Sequence, residues 1–297
     1  MELKDLEELR KSALKKTLLC TFIPLAAGII AAIVTKSFLL FIAGIIVMII
    51  GLIYASKSSS EFSREFKKKY VLTGMQQIFD DLVYNPDEGL PRQVIADTQM
   101  MRMGNRYSSN DHMTGTYKGI RVEQADVHIQ EEHTTTDSKG NTTTTYETIF
   151  KGRWMVFDFN KDFKANVQVV QKGFSNAKRG KLFARKEEKY KKVEMEDVSF
   201  NKDFKVYAQN AEDAFYILTP AMMDRIRKVC AGMEGKILFC FVDDKLHIGV
   251  HNKKDSFEHG LSKRIDESKI QEEIAGDIKL ITDFVDELSL DTKLFKA

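Results

Sequence analysis

The sequence predicts an α+β protein: an N-terminal transmembrane helical hairpin, then a cytoplasmic domain with a mainly antiparallel sheet packed by helices. Three observations carry this. Thr17–Tyr54 is apolar apart from Thr35-Lys36-Ser37. From Thr116 the hydrophobic pattern changes to period two, and helical stretches lie before and after the strand run. The organisation expected is a cytoplasmic segment 1–16, a two-helix hairpin 17–54, juxtamembrane helices 55–103 and an α+β domain 104–297.

Thr17–Val34, as a helix, covers about 27 Å, close to the roughly 30 Å hydrocarbon layer. Phe38–Tyr54 reaches about 25 Å by the same rise per residue. Its twelve Leu, Ile, Val or Phe residues favour insertion by very roughly 6 kcal/mol. In lipid each segment must satisfy its own backbone polar groups, which selects helices. Gly28, Ala31 and Ala32 form a small-residue face suited to close packing against the second helix. Lys4, Arg10, Lys11, Lys15 and Lys16 precede the hairpin, Lys57, Arg64, Lys67, Lys68 and Lys69 follow it, and only Lys36 lies between. That distribution places both termini in the cytoplasm.

Ser58–Tyr84 reads as an amphipathic helix ended by the turn Asn85-Pro86-Asp87-Glu88-Gly89, and Pro91–Met101 as a second short helix. Ala125, Val127 and Ile129 alternate with Asp126, His128 and Gln130, as in a half-buried strand. Two threonine runs around residues 137–141 predict a protruding β-hairpin with a five-residue loop. Trp154-Met155-Val156-Phe157 reads as a fully buried strand at the centre of the sheet, continued by Val167–Val170. Phe-Asn-Lys-Asp-Phe-Lys occurs at residues 159–164 and again at 200–205, each copy leading into a strand-like run. Thr219-Pro220 is a helix start with Thr as cap and Pro in the first turn, and the helix runs to Cys230. Ile237–Val242 and Leu246–Val250 are expected to form a hairpin across Asp243-Asp244-Lys245. Asp266–Leu288 carries Ile270, Ile274, Ile278, Ile281, Val285 and Leu288 on one helical stripe.

These landmarks, together with Lys151-Gly152-Arg153-Trp154, Leu218-Thr219-Pro220 and Phe241-Val242-Asp243, make an ordered set. The set resembles an uncharacterised family of bacterial two-span membrane proteins catalogued as a domain of unknown function, over most of the chain to about residue 258. The resemblance implies the bacterial cytoplasmic (inner) membrane and supplies no catalytic residues.

The net charge is only +2, with 45 basic and 43 acidic residues, so no nucleic-acid partner is expected. Three cysteines make a disulfide framework implausible; Cys230 and Cys240 read as reduced, buried thiols in a reducing compartment. The nucleotide and hydrolase fingerprints G-x-x-x-x-G-K-[ST], G-x-G-x-x-G, H-E-x-x-H and G-x-S-x-G do not occur. His247 and His251, four apart on a strand, sit about 13 Å apart on one face, too far to share a metal ion. No catalytic residue, metal ligand or cofactor is expected.

The strongest candidate for binding is Lys172–Lys192, with nine basic residues against Glu187 and Glu188, interleaved with Phe174, Phe183 and Tyr190. Lys178, Arg179, Lys181, Arg185 and Lys186 are the candidate contacts to anionic lipid or to a partner, each worth about 1 kcal/mol at an anionic leaflet. A solvated loop, and neutralisation by the acidic C-terminal helix, are the competing readings of the same segment. The function expected is a membrane-anchored binding or assembly module. The alternatives are an enzyme acting on an envelope or lipid substrate, and an accessory subunit contacting other membrane proteins.

Overall fold

The computed structural model describes residues 2–174, 190–288 and 290, with 159–165 described by their backbone alone. The chain divides into two units, Met1–Gly74 with Phe257–Ala275, and Met75–Ser256 with Gly276–Ala297.

In the first unit α1 (Leu3–Thr35) and α2 (Phe38–Phe66) form the expected hairpin. Lys36 makes the reversal in the left-handed region, at φ 53°. Both helices are long and apolar enough to cross a membrane. They extend past the apolar windows, so the basic flanks are helical too. α2 runs on through a π-helical segment (Lys67–Leu72) into the short α3 (Thr73–Gln76). The helices come into backbone contact where neither has a side chain: a Cβ at Gly28 would meet the Gly44 Cα at 2.9 Å, and one at Gly44 would meet the Gly28 Cα at 2.8 Å. Backbone contact of this kind is how helices associate where apolar burial offers no drive. Outward-facing Ile33, Val34 and Leu39 are 72, 76 and 74% exposed.

Residues 257–275 pack against the polar end of this hairpin. His259 stacks on Phe66 with ring centroids 5.1 Å apart, and Lys67, almost fully buried, pairs with Glu258. Tyr70 donates to Glu267 Oε1 at 3.0 Å, and Arg10 donates to the Leu261 carbonyl.

Among the described residues the second unit is built on an antiparallel sheet of seven strands. In chain order its elements are β1 (Asp80–Asn85), α4 (Arg92–Ala96), β2 (Arg106–Tyr117), β3 (Ile120–Thr136), β4 (Thr142–Gln171), β5 (Lys191–Val193), α5 (Val198–Asp203), β6 (Phe204–Ala208), α6 (Ala211–Ile217), α7 (Pro220–Ala231) and β7 (Lys236–His251). α8 (Glu267–Leu288) begins in the first unit and ends in the second. The strand order is β1-β2-β3-β4-β6-β5, with β7 on the other edge of β4. β4 is therefore the spine. Trp154 lies between Ala125 of β3 and Gly249 of β7, and Val169 between Val206 of β6 and Phe239 of β7. The buried run from Trp154 is central, as its composition indicated.

Both faces of β4 are covered. Ala125, Val127, Trp154, Val156 and Cys240 pack with Leu90, Ile95, Met100 and Met101. Phe157 and Phe239 pack on Phe284 of α8. The Thr219 cap is present, its side chain accepting from the Met222 N–H. The threonine hairpin forms with loop 137–141. β2 turns into β3 through Lys118-Gly119, both at positive φ, as a two-residue hairpin turn demands.

Three elements differ from expectation. Helical structure stops at Gln76, not Tyr84, and residues 80–85 form β1. Phe79 packs on Tyr117 with centroids 5.9 Å apart, which starts this strand along the edge of β2. β2 itself, Arg106–Tyr117, is too polar to announce itself as a strand. And β7 is one strand rather than a hairpin. Asp243, at φ 52°, makes an irregularity where the register jumps from Asp158↔Lys245 to Phe163↔Asp243. Extra residues in β4 absorb the turn-like sequence, so both strands bend together.

Candidate functional site

Asp126 and Arg153 stand directly opposite each other on β3 and β4 and are 2 and 1% exposed. Cross-strand partners share a face, and here that face lies under α8. A charge in such a place must be paired and hydrogen-bonded or it is costly. Arg153 Nε lies 4.0 Å from Asp126 Oδ1. Its Nη1 donates to the Asp277 carbonyl of α8, and its Nη2 lies 3.4 Å from Asp277 Oδ1. The second Asp126 oxygen accepts the backbone N–H of Ser256.

The polar row continues across the sheet. Gln124 Nε2 donates to the Asp111 carbonyl at 3.2 Å, and the buried Asp111 carboxylate accepts from Tyr84 of β1 and from Asn110 Nδ2. Burial pushes the Asp126 carboxyl up to about 6; Arg153 and the Ser256 N–H pull the other way, and Asp111 adds to the rise.

Asp111, Gln124, Asp126 and Arg153 are buried, and Asp277 at the rim of the cluster is 39% exposed. What the cluster can do is hold. Ser256 and Asp277 stand on either side of 257–275, the segment that groups with the first unit. Within the second unit, one buried ion pair thus fixes the residue where the chain leaves and the turn where it returns. Sequence reasoning missed this: Asp126 fell on the polar side of an alternation, and Arg153 served only as a landmark. The available signal was Arg153 itself, next to a run apolar on both faces.

The expected site residues fall elsewhere. Lys178, Arg179, Lys181, Arg185 and Lys186 lie outside the described residues. Phe174, at the start of the same segment, is buried and packs edge-on against His251 with centroids 5.5 Å apart. His247 and His251 work as core partners: His247 Nδ1 lies 3.4 Å from Trp154 Nε1, and His251 Nδ1 accepts the Lys151 N–H at 3.0 Å. Burial lowers the His247 imidazole to about 4. Among the described residues no group of three or more His, Cys, Asp or Glu could hold a metal ion. Cys230 and Cys240 are free and buried; burial pushes the Cys230 thiol up to about 12, and Cys240 donates to Asn166 Oδ1 at 3.1 Å.

Residues 148–290 match a family described as protein of unknown function (DUF3137). The matched stretch is similar to an uncharacterised family, in keeping with the ordered landmarks, and runs past residue 258 to take in most of α8. It contains Arg153, Ser256 and Asp277 but neither Asp126 nor the apolar helices. No curated protein matches the chain. A solved structure, the crystal structure of the mycobacterial trehalose monomycolate transport factor A, TtfA, aligns with a TM-score of 0.41 at 10% identity. The alignment covers 77% of this chain and 94% of that one. So loose a likeness carries neither fold nor function across.

Proposed function

We propose that the protein is a bacterial inner-membrane protein whose hairpin holds an α+β module at the cytoplasmic leaflet for binding or assembly rather than catalysis. The observation that carries this is the hairpin surface. Two helices joined at Gly28 and Gly44 turn Ile33, Val34, Leu39 and their neighbours outward, which only an apolar solvent rewards. Basic residues on both flanks and a single Lys36 at the tip support cytoplasmic termini. The free, buried cysteines accord with a reducing compartment.

In this reading Lys178, Arg179, Lys181, Arg185 and Lys186 meet anionic headgroups, each contributing about 1 kcal/mol. Two measurements test it. Carbonate washing should leave the full-length protein in the membrane, and protease outside intact cells should leave the large unit uncut; release or digestion would end the proposal. In reconstituted vesicles, amine labelling of Lys178, Lys181 and Lys186 should be suppressed by anionic lipid and not by neutral lipid. Equal labelling would remove the lipid contact and keep the anchor.

A further inference from the structure

The threonine ribbon stands apart from the rest of the sheet. β2 pairs with β3 only as far as Gln130, and β7 reaches β4 only from Gly152. From Glu131 to Glu147 the two strands therefore pair with each other alone among the described residues. The stem is braced: Arg106 pairs with Glu132 at 2.7 Å and lies over the Tyr146 ring, and Arg102 pairs with Glu147.

At the tip, the Asp137 N–H donates to the Asn141 carbonyl at 2.9 Å. Hydrogen-bonded and open pairs alternate along an antiparallel ladder. Counting from Asp137 and Asn141, the open pairs are Thr136–Thr142, Thr134–Thr144 and Glu132–Tyr146, and their backbone groups point out of the ribbon. Glu132 bears out the count: its N–H donates to Asn105 Oδ1 at 2.8 Å, and its carbonyl accepts from Asn105 Nδ2 at 3.1 Å. That edge is thus capped at Glu132, beside the stem, while Thr134 and Thr136 carry no such cap among the described residues. On the other edge Thr142, Thr144 and Tyr146 have no such cap among the described residues.

Natural sheets guard open edges with lysine, proline, inward charges or bulges. Thr142–Tyr146 has none of these and consists wholly of strong strand formers. We propose that this edge pairs with the same edge of a second copy of the chain, antiparallel about a two-fold axis through Thr144. That register sets Thr142 against Tyr146 of the second copy and Glu147 against its Asn141, so no like charges oppose. Threonine–threonine and aromatic–β-branched pairs are favourable across strands, and a two-fold contact requires such self-complementarity. With no charge between Thr142 and Tyr146, this hydroxyl ladder meets no repulsion from its own copy and is its own complement. The inference needs the ribbon alone and stands apart from the proposed membrane role.

The test uses the full-length protein in detergent and in native membranes. With Cys20→Ser as background, Thr144→Cys should give an oxidised dimer and Thr134→Cys, on the opposite edge, should not. Light scattering should show a dimer for the unaltered chain and a monomer for Thr144→Pro, which removes an outward N–H without touching the ribbon's own ladder. Thr144→Lys, a fully exposed change that keeps the backbone N–H, should also give a monomer by charge repulsion. A monomeric unaltered chain in both settings, or a dimer that survives Thr144→Lys and Thr144→Pro, would overturn the proposal. A chain that dimerises yet washes off membranes would instead refute the anchor and leave the ribbon contact standing.

Discussion

Trp154 and His247 meet inside the sheet, the indole Nε1 lying 3.4 Å from the imidazole Nδ1. The indole can only donate, so Nδ1 accepts and the ring is held neutral. On the other face of β4, Asp126 is buried with its pKa raised. The two groups titrate in one pH window with opposite effects on stability.

For His247 the folded value of about 4 lies below the ordinary 6.5. Its contribution is present above pH 6.5 and is lost as the pH falls through 4, on the order of 3 kcal/mol. For Asp126 the folded value of about 6 lies above 3.8. Its contribution is present below 3.8 and is lost as the pH rises through 6, on the order of 2–3 kcal/mol. Asp126→Asn should therefore steepen the acid loss of stability between pH 4 and 6.5, and His247→Gln should flatten it. Thermal unfolding of both variants across this range checks the signs.

Arg153→Met removes the charge that holds the Asp126 carboxyl down, so the buried carboxyl takes up a proton more readily, which limits the loss at pH 7 to at most about 3–5 kcal/mol. Adding Asp126→Asn should recover much of that loss, because a buried pair replaced as a unit is close to neutral. A double-mutant cycle by denaturant unfolding measures the coupling.

Gly28→Leu places side-chain atoms where the Gly44 backbone already sits, 2.9 Å from the first added carbon. The helices must separate, at about 1–3 kcal/mol. A cysteine pair across the hairpin should crosslink less efficiently in this variant, and Gly232→Leu, with nothing within 4 Å of an added Cβ, is the tolerated control.

Thr219→Ala removes the oxygen that accepts the Met222 N–H at 3.3 Å. The loss should be about 1 kcal/mol, read as a lower midpoint in denaturant with an unchanged slope.

Much of the architecture was legible because its causes are local. Thr219-Pro220, the isoleucine stripe of α8 and the threonine runs around the 137–141 loop each specify their element within one stretch of chain. Asp243-Asp244-Lys245 misled for the opposite reason. Its turn chemistry is real, but the register jump in β4, a strand remote in sequence, turns it into a bend in one continuous β7. The candidate site was hidden in the same way. Asp126 obeys the alternation of a half-buried strand, and nothing near it says that α8 covers that face.

By itself the sequence determined the two apolar helices, their reversal at Lys36 and the α+β class, because hydrophobic length and periodicity act through neighbours along the chain. Only the tertiary structure decided that Asp126 and Arg153 are interior and that they hold Ser256 and Asp277. Burial of a charge depends on which distant segment covers it, and no local pattern of residues encodes that cover.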